Sequence, residues 1–377
     1  MIPNQRPLFH LPDDVAYLNC AYLSPLLKTV VEAGEKATLF RARPWAITSR
    51  DFFTISESVR GLFAQIINTR ADNVAIVPAV SYGIAAAVRN LSIGRGQRVV
   101  VLEEQFPSNV YAWHELARYT GANVVVVPRP ASGDWTAVTL ASIDRQTAVA
   151  ALPNCHWTDG GLLDLVRISA HCRERGVALV LDLTQSAGVL PFDAEAVRPD
   201  FAVAAAYKWL LGPYSLGFLY VAPQWHGGEP LEHNWIARQG SEDFAGLVDY
   251  NDHFQPGARR FDMGERANFQ LLPMAEVALR QILEWDIGTI AETLKTKTAA
   301  IAERAETLGL ASTPPSLRAG HFVGLRFPAG VPNGLVTRLA AEKVFVSVRG
   351  DAMRVTPHLH TTDADIDRLF RVLTAVR

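Results

Sequence analysis

Cysteine is scarce in this 377-residue chain. Cys20, Cys155 and Cys172 are an odd set with no CxxC spacing, which predicts neither a disulfide framework nor a zinc site and suits a reducing cytoplasm. Long apolar runs are missing as well: no stretch approaches the ~18 residues needed to cross a bilayer. The opening MIPNQRPLFHLPDD lacks the charged, apolar, then small order of a signal peptide, so neither membrane insertion nor export is expected. Charge of one sign is also absent. The 36 Lys+Arg and 38 Asp+Glu are spread without long single-sign runs, which argues against a nucleic-acid binder or an acidic tail. No internal repeat is visible.

What is present is a composition of 49% hydrophobic residues over a length that predicts two or three domains with ample core. Between residues 70 and 225, short apolar runs alternate with amphipathic segments: VAIV from Val74, RVVVL from Arg98, NVVVV from Asn123, AVAAL from Ala148, ALVLDL from Ala178, FAVAAA from Phe201 and GFLYV from Gly217. Runs of this kind, without polar alternation, mark strands buried on both faces, the pattern of a mostly parallel sheet covered by helices. An α/β three-layer domain follows. One covering helix reads from LDLVRISAHCRERG, stopped by Gly176, with Cys172 on its apolar face. After residue 260 come a long helical tract from Pro273 to about Leu308, short strands around HFVGLRF and VFVSVRG, and the helices GLVTRLAAEK and DADIDRLFRVL. The expected organisation is an N-terminal segment (1–50) packing on the small domain or a partner, a large α/β domain (51–258), and a smaller α+β C-terminal domain (259–377).

Two residues carry most of the chemistry. Asp182 ends the strand ALVLDL, and ligands of open α/β sheets bind at the carboxyl ends of strands. A carboxylate buried there needs a cationic partner, for which a protonated ring nitrogen of a cofactor qualifies; a turn-stabilising Asp before TQSAG is the plainer alternative. Lys208 sits in the apolar frame AAAYKWLLGPYSLG, where desolvation would lower its pKa and make the neutral amine a nucleophile and base. The alternative is a strand-exit lysine with its head in water. An Asp at one strand end and a Lys at the next can meet across one cofactor. Val80-Ser81-Tyr82-Gly83 before IAAAVRNL adds a hydroxyl, a glycine and a helix amino end fit for phosphate, although an N-cap explains Ser81 equally well.

The runs D-L-T-Q-S-A-G at Asp182 to Gly188 and D-F-A-V-A-A-A-Y-K-W-L-L-G-P at Asp200 to Pro213 resemble the class V aminotransferase family of pyridoxal-phosphate enzymes. YLNCAYLSP near the start looks like the family's opening, FPSN at Phe106 to Asn109 looks like kynureninase, and MRVTPHLHTT at Met353 resembles the C-terminal arginine segment. The resemblance implies the fold of type I pyridoxal-phosphate transferases and pyridoxal 5'-phosphate as cofactor. It makes Lys208 the lysine that holds the cofactor as a Schiff base, Asp182 the partner of the pyridine nitrogen and Gln185 a donor to the ring hydroxyl oxygen. It stacks Phe106 on the ring, sets Ser81, Tyr82 and Gly83 near the phosphate, and brings Asn154 and Tyr207 beside the cofactor. Arg354 falls where relatives hold a substrate carboxylate, a surface arginine being the alternative, and His156 and Trp157 either line the substrate pocket or pack a loop.

Two departures stand out. Cysteine desulfurases carry a catalytic cysteine in the C-terminal domain, whereas residues 173–377 hold none, which disfavours a persulfide mechanism. Where relatives read G-T-P-N, with a threonine reaching the neighbouring subunit's phosphate, this chain has Gly264-Glu265-Arg266-Ala267-Asn268, and Arg266 or Asn268 is the substitute the sequence offers. The resemblance therefore implies an enzyme acting on the α-carbon of an amino acid, nominally an aminotransferase, in a cytoplasmic homodimer with shared active sites. Side-chain cleavage, epimerisation and cofactor binding without turnover are the alternatives. No metal, nucleic acid or membrane is implied.

Overall fold

The computed structural model describes residues 1–375. A two-residue β1 (Ala16–Tyr17) precedes the seven strands of the main sheet: β2 (Val74–Val77), β3 (Arg98–Leu102), β4 (Asn123–Val127), β5 (Thr147–Pro153), β6 (Ala178–Asp182), β7 (Phe201–Ala205) and β8 (Gly217–Val221). Each of the seven apolar runs of the sequence is one of these strands. Their spatial order is β2-β8-β7-β6-β5-β3-β4, parallel throughout except for β8, which runs antiparallel to both neighbours.

Period-two alternation divides the strands between two cores. Val100, Leu102, Ala150, Leu152, Leu179, Leu181, Ala202 and Ala204 join one, and Val99, Val101, Val149, Ala151, Val180, Phe201, Val203 and Ala205 join the other. Helices cover both faces, which is why the inner strands are apolar on both; the edge strand β4 is only partly buried, with Val126 exposed. The helix Leu165–Arg175 is capped by Asp164 and stopped by Gly176 in the left-handed region (φ 67), and it buries Cys172. The architecture is the α/β three-layer class.

The small unit forms around β9 (Val323–Arg326), β10 (Val344–Phe345), β11 (Ser347–Arg349) and β12 (Ala352–Val355), with β12 between β11 and β9 in one antiparallel sheet. Its core adds Ala16 and Leu18 from the start of the chain, and β1 pairs with β10. Phe9, Leu27 and Val30 enter the large core, so the N-terminal segment spans both units. The long helical tract breaks at Asp286 (φ 65) into Leu271–Trp285 and Ile287–Thr307. The first of these buries Leu272, Leu279 and Ile282 in the large core, and the second passes from Ile290 and Leu294 in that core to Ile301 and Ala305 in the small one. The small unit's own packing thus begins well after residue 259.

Where the units meet, two histidines border Trp209 and a third stacks on one of them. The His321 ring stands edge-on to it at 4.5 Å, His358 lies at 6.0 Å, and His360 stacks on His358 at 6.2 Å. All three are buried, and neither ring nitrogen of His358 has a hydrogen-bond partner. Burial pulls His321 and His360 down to about 4 and His358 well below its ordinary range, with its two histidine neighbours adding to the effect.

The unfolded chain takes up protons below about pH 6.5 while folded His321 and His360 refuse them until about 4 and His358 also resists them, so stability falls as pH drops through that window, on the order of 3 kcal/mol for a group held at about 4. His358→Phe should shrink the loss in urea midpoint between pH 7.5 and 5. An undiminished loss in that variant would remove the cluster as its cause.

Candidate active site

The carboxyl ends of β2, β5, β6 and β7 open into one cavity, the position at which open α/β sheets bind ligands. Pro78 to Ser81, Phe106, Ser108, Cys155, Trp157, Asp182, Thr184, Gln185, Tyr207, Lys208 and Tyr214 lie on its walls. Asp182 is the last residue of β6, directly beside β7, and its Oδ1 accepts a hydrogen bond from the Thr184 amide at 3.0 Å. Burial pushes its carboxyl pKa up, a tendency opposed by the Thr184 bonds and the charge of Lys208.

Lys208 lies three residues beyond β7, in a loop folded back by bonds from Leu211 N to its carbonyl and from Gly212 N to the Ala206 carbonyl. It is 6% exposed. Its Nζ sits 5.3 Å from the Phe106 ring centroid and 5.7 Å from that of Tyr207, and among the described residues no carboxylate lies within 4 Å of it. Burial lowers its pKa to about 8, with Arg354 and Arg349 acting in the same sense and Asp182 against it. An amine that gives up its proton about two pH units more easily than a free lysine, and that faces a cavity, is a competent nucleophile and proton carrier.

Gln185 is oriented by its neighbours. Trp209 Nε1, a donor only, gives its hydrogen to Gln185 Oε1 at 2.9 Å, which fixes the amide so that Nε2 donates to the Ala21 carbonyl at 3.1 Å and keeps one further hydrogen. His321 Nε2 donates to the Gln185 carbonyl at 2.7 Å. Across the cavity the helix Val80–Asn90 begins without a side-chain cap. Among the described residues the amides of Val80, Ser81 and Tyr82 have no acceptor, so three N–H groups and the Ser81 hydroxyl are available at a positive helix end.

Pyridoxal 5'-phosphate, the cofactor that the resemblance implies, fits this set. The uncapped helix end suits its phosphate, Asp182 Oδ2 a ring nitrogen, Phe106 a ring face and Lys208 an aldehyde carbon.

Gly83 does not line the cavity. Its amide is spent on the Ala79 carbonyl, and a Cβ there would fall 2.7 Å from Val203 Cγ2, so its lack of a side chain lets the helix lie against the sheet. His156 does not line it either. It is fully buried, stacked on Trp135 at 4.9 Å, and tied through Nδ1 to Thr158 and through Nε2 to the Glu103 carbonyl, which makes it the brace of the loop and leaves the cavity wall to its neighbour Trp157. Asn154 lies between two cavity residues with its own amide turned to the Leu163 carbonyl at 3.4 Å. Arg266 is fully buried and bound to Asp262, which also receives Arg60 at 2.9 Å, while Asn268 Oδ1 caps the helix Leu271–Trp285. Both candidates for the missing threonine are therefore engaged within their own chain.

A second cavity adjoins the first through Phe106, Trp157, Tyr207, Lys208 and Tyr214, and reaches Arg349 and Arg354 of the small sheet. Arg354 is 1% exposed, donates from Nε and Nη2 to Ser347 Oγ (2.9 and 2.7 Å) and from Nη1 to the Trp157 carbonyl (3.1 Å), and meets no carboxylate. Burial and Arg349 pull its pKa to about 9, the mark of an uncompensated charge. Sequence reasoning missed Thr184, Tyr214 and Arg349. Thr184 carries the family run itself, but nothing local in the sequence distinguishes Tyr214 or Arg349 from ordinary loop residues.

A sheet with one antiparallel strand and a buried Asp–Lys pair at its carboxyl edge defines a cofactor-dependent α/β enzyme. The family model for class-V aminotransferases matches residues 24–369, and the chain belongs to that family. It is 27% identical to an uncharacterised aminotransferase, YcbU, of Bacillus subtilis over 82% of this chain and 81% of that protein. It is 29% identical to the kynureninase of Deinococcus radiodurans (77% and 71% covered), and 25% identical to the isopenicillin N epimerase of Streptomyces clavuligerus (97% and 96%). In fold it matches a cysteine desulfurase from Thermococcus onnurineus with a TM-score of 0.87 at 18% identity, covering 100% of this chain and 99% of that one. It also matches a cystine C–S lyase with a TM-score of 0.82 at 20% identity (96% and 98%).

Borohydride treatment of the yellow holoprotein should fix the cofactor on Lys208, read by peptide mapping. An adduct on any other lysine would refute the assignment.

Proposed function

We propose that this chain binds pyridoxal 5'-phosphate and acts on the α-carbon of an amino acid, with amino-group transfer as the nominal reaction. The observation that carries the reading is the buried, partnerless Lys208 amine standing at one cavity with Asp182 and an uncapped helix end. When bound, the cofactor withdraws electrons from the substrate α-carbon. Asp182 would hold a proton on the ring nitrogen, in a low-dielectric setting that strengthens such a contact. Gln185 Nε2 would donate toward the ring hydroxyl oxygen, and Phe106 and Trp157 would exclude water. Arg354, held by Ser347 and the Trp157 carbonyl, would present a fork to the substrate α-carboxylate and so fix the orientation of the α-carbon. Lys208, with its pKa near 8, takes and returns the proton at the α-carbon.

Transfer is preferred over persulfide chemistry on one observation. Cys155 is the cysteine on the cavity wall, it is 1% exposed, and burial holds its thiol protonated, so it offers no thiolate to accept sulfur. Side-chain cleavage without a thiol is the second reading, favoured by the FPSN run and the kynureninase relative.

Incubation of the holoprotein with paired amino acids and 2-oxo acids, followed by mass spectrometry, separates the two. New amino acids matching the 2-oxo acid supplied are expected; pyruvate, alanine or sulfide released from a single amino acid with no 2-oxo acid added would establish side-chain chemistry instead.

The reading extends to a homodimer that shares its active sites. Large apolar side chains stand in water, with Trp45 82%, Val248 78% and Tyr250 97% exposed, surface that a subunit contact would cover. Light scattering should report twice the mass of the 41.3 kDa chain. A fully active monomer would contradict it.

A further inference from the structure

The small sheet carries a second arginine that the reaction above leaves without a task. β11 and β12 pair antiparallel with Ser347 opposite Arg354 and Arg349 opposite Ala352. Arg349, two residues along β11 from Ser347, therefore leaves the sheet on the same face as Arg354 and is its diagonal neighbour, a relation that sets the two side chains' origins about 7–8 Å apart. Their heads share one platform: the guanidinium carbons lie 5.8 and 5.6 Å from the Trp157 ring centroid. The residue facing Arg349 is an alanine, which leaves the long side chain room to move.

Neither arginine is neutralised. Among the described residues no carboxylate lies within 4 Å of either, and Arg349 donates only from Nη1 to the neighbouring Val348 carbonyl at 2.7 Å. Glu104 comes close, its Oε1 3.5 Å from where a Cβ on Gly350 would sit, but its ion pair is with Arg129, through Oε2 at 2.6 Å, and neither oxygen lies within 4 Å of Arg349. The cavity that both arginines line contains no acidic residue, and its other walls are Ala21, Tyr22, Leu23, Pro107, the Lys208 amine and the aromatic rings already named. Like charges side by side on one sheet face destabilise it, so an uncompensated pair in a cavity marks a place for an anion. An α-carboxylate occupies one planar fork, and Arg354 supplies it. The second fork is then left for another acidic group on the same substrate, with Trp157, Tyr207 and Tyr214 flanking the methylenes between.

We propose that Arg349 is a specificity-determining residue that binds a second carboxylate on the substrate side chain, so that this site takes dicarboxylic amino acids. The inference rests on the amino-acid reading of the site. Its test compares glutamate with glutamine and aspartate with asparagine, by kcat/KM and by the change each causes in the bound cofactor's visible spectrum. The parent holoenzyme should favour the acid over its amide by about tenfold or more, as a charge-assisted contact allows. Arg349→Gln should bring that ratio toward one, and Arg349→Lys should recover part of it. Arg354→Gln should instead raise KM for acid and amide together.

Binding without turnover gives a second readout. At equal concentration glutarate should raise the melting temperature of the holoenzyme more than butyrate, and the difference should vanish in Arg349→Gln. Neutral amino acids that perturb the spectrum as well as acidic ones, or an acid-to-amide ratio unchanged in Arg349→Gln, would overturn the proposal and leave the amino-acid reading intact. A spectrum that no amino acid perturbs would overturn both.

Discussion

A lysine amine is kept in an apolar loop with no carboxylate touching it, and the rest of the site is arranged around that cost. Nothing in the folded chain neutralises Lys208, so burial presses it toward the neutral form in which it can attack a carbonyl carbon or carry a proton. Asp182 lies near enough to act through space but forms no ion pair with it, and burial presses the carboxyl in its turn toward protonation. A direct Lys–Asp contact would relieve both groups and abolish both reactivities. The separation is maintained by the sheet, since Asp182 is fixed at the end of β6 and Lys208 by a loop that folds back on Ala206.

Two networks of buried charge hold the walls in place. Asp262 accepts from Arg60, from Arg266 and from the Ile76 amide at 2.7 Å, which ties the GERAN segment to the edge strand β2. Burial works against the carboxylate, yet the two arginines keep it ionised. Asp159 receives Arg326 of β9 at 2.7 Å and also Arg129, so the loop bearing Trp157 is locked to the small sheet. That lock matters for chemistry, because the Trp157 carbonyl accepts from Arg354. Removing one partner of either network would leave a buried charge unmatched, a loss of about 3–5 kcal/mol.

The two units meet at the site itself. Gln185 takes its orientation from Trp209, its main chain is held by His321, and the same indole is bordered by His358. The histidine seam is built from neutral rings, so the contact between the small unit and the cofactor loop is strongest at neutral pH. The arginines arrive from the far side on β11 and β12, and the position of the small sheet therefore sets the distance between the Arg354 guanidinium and Lys208.

The seven apolar runs determined the seven strands, because runs without polar alternation suit a sheet packed on both sides, although the edge strand β4 is only partly buried. The positions of Asp182 and Lys208 were equally plain, one ending such a run and the other just beyond the next. Gly83 and His156 were not placed by sequence, because a glycine at a helix start and a histidine after a strand read alike whether they face a ligand or the protein interior, and only the distance to Val203 and the stack on Trp135 decided which way they face. The extent of the large core was hidden too, as the helix Leu271–Trp285 is amphipathic whichever unit it covers. Arg349 lay beyond the sequence altogether. Its meaning comes from antiparallel register with Arg354 and from the absence of any carboxylate nearby, and both are relations between segments that only tertiary packing brings together.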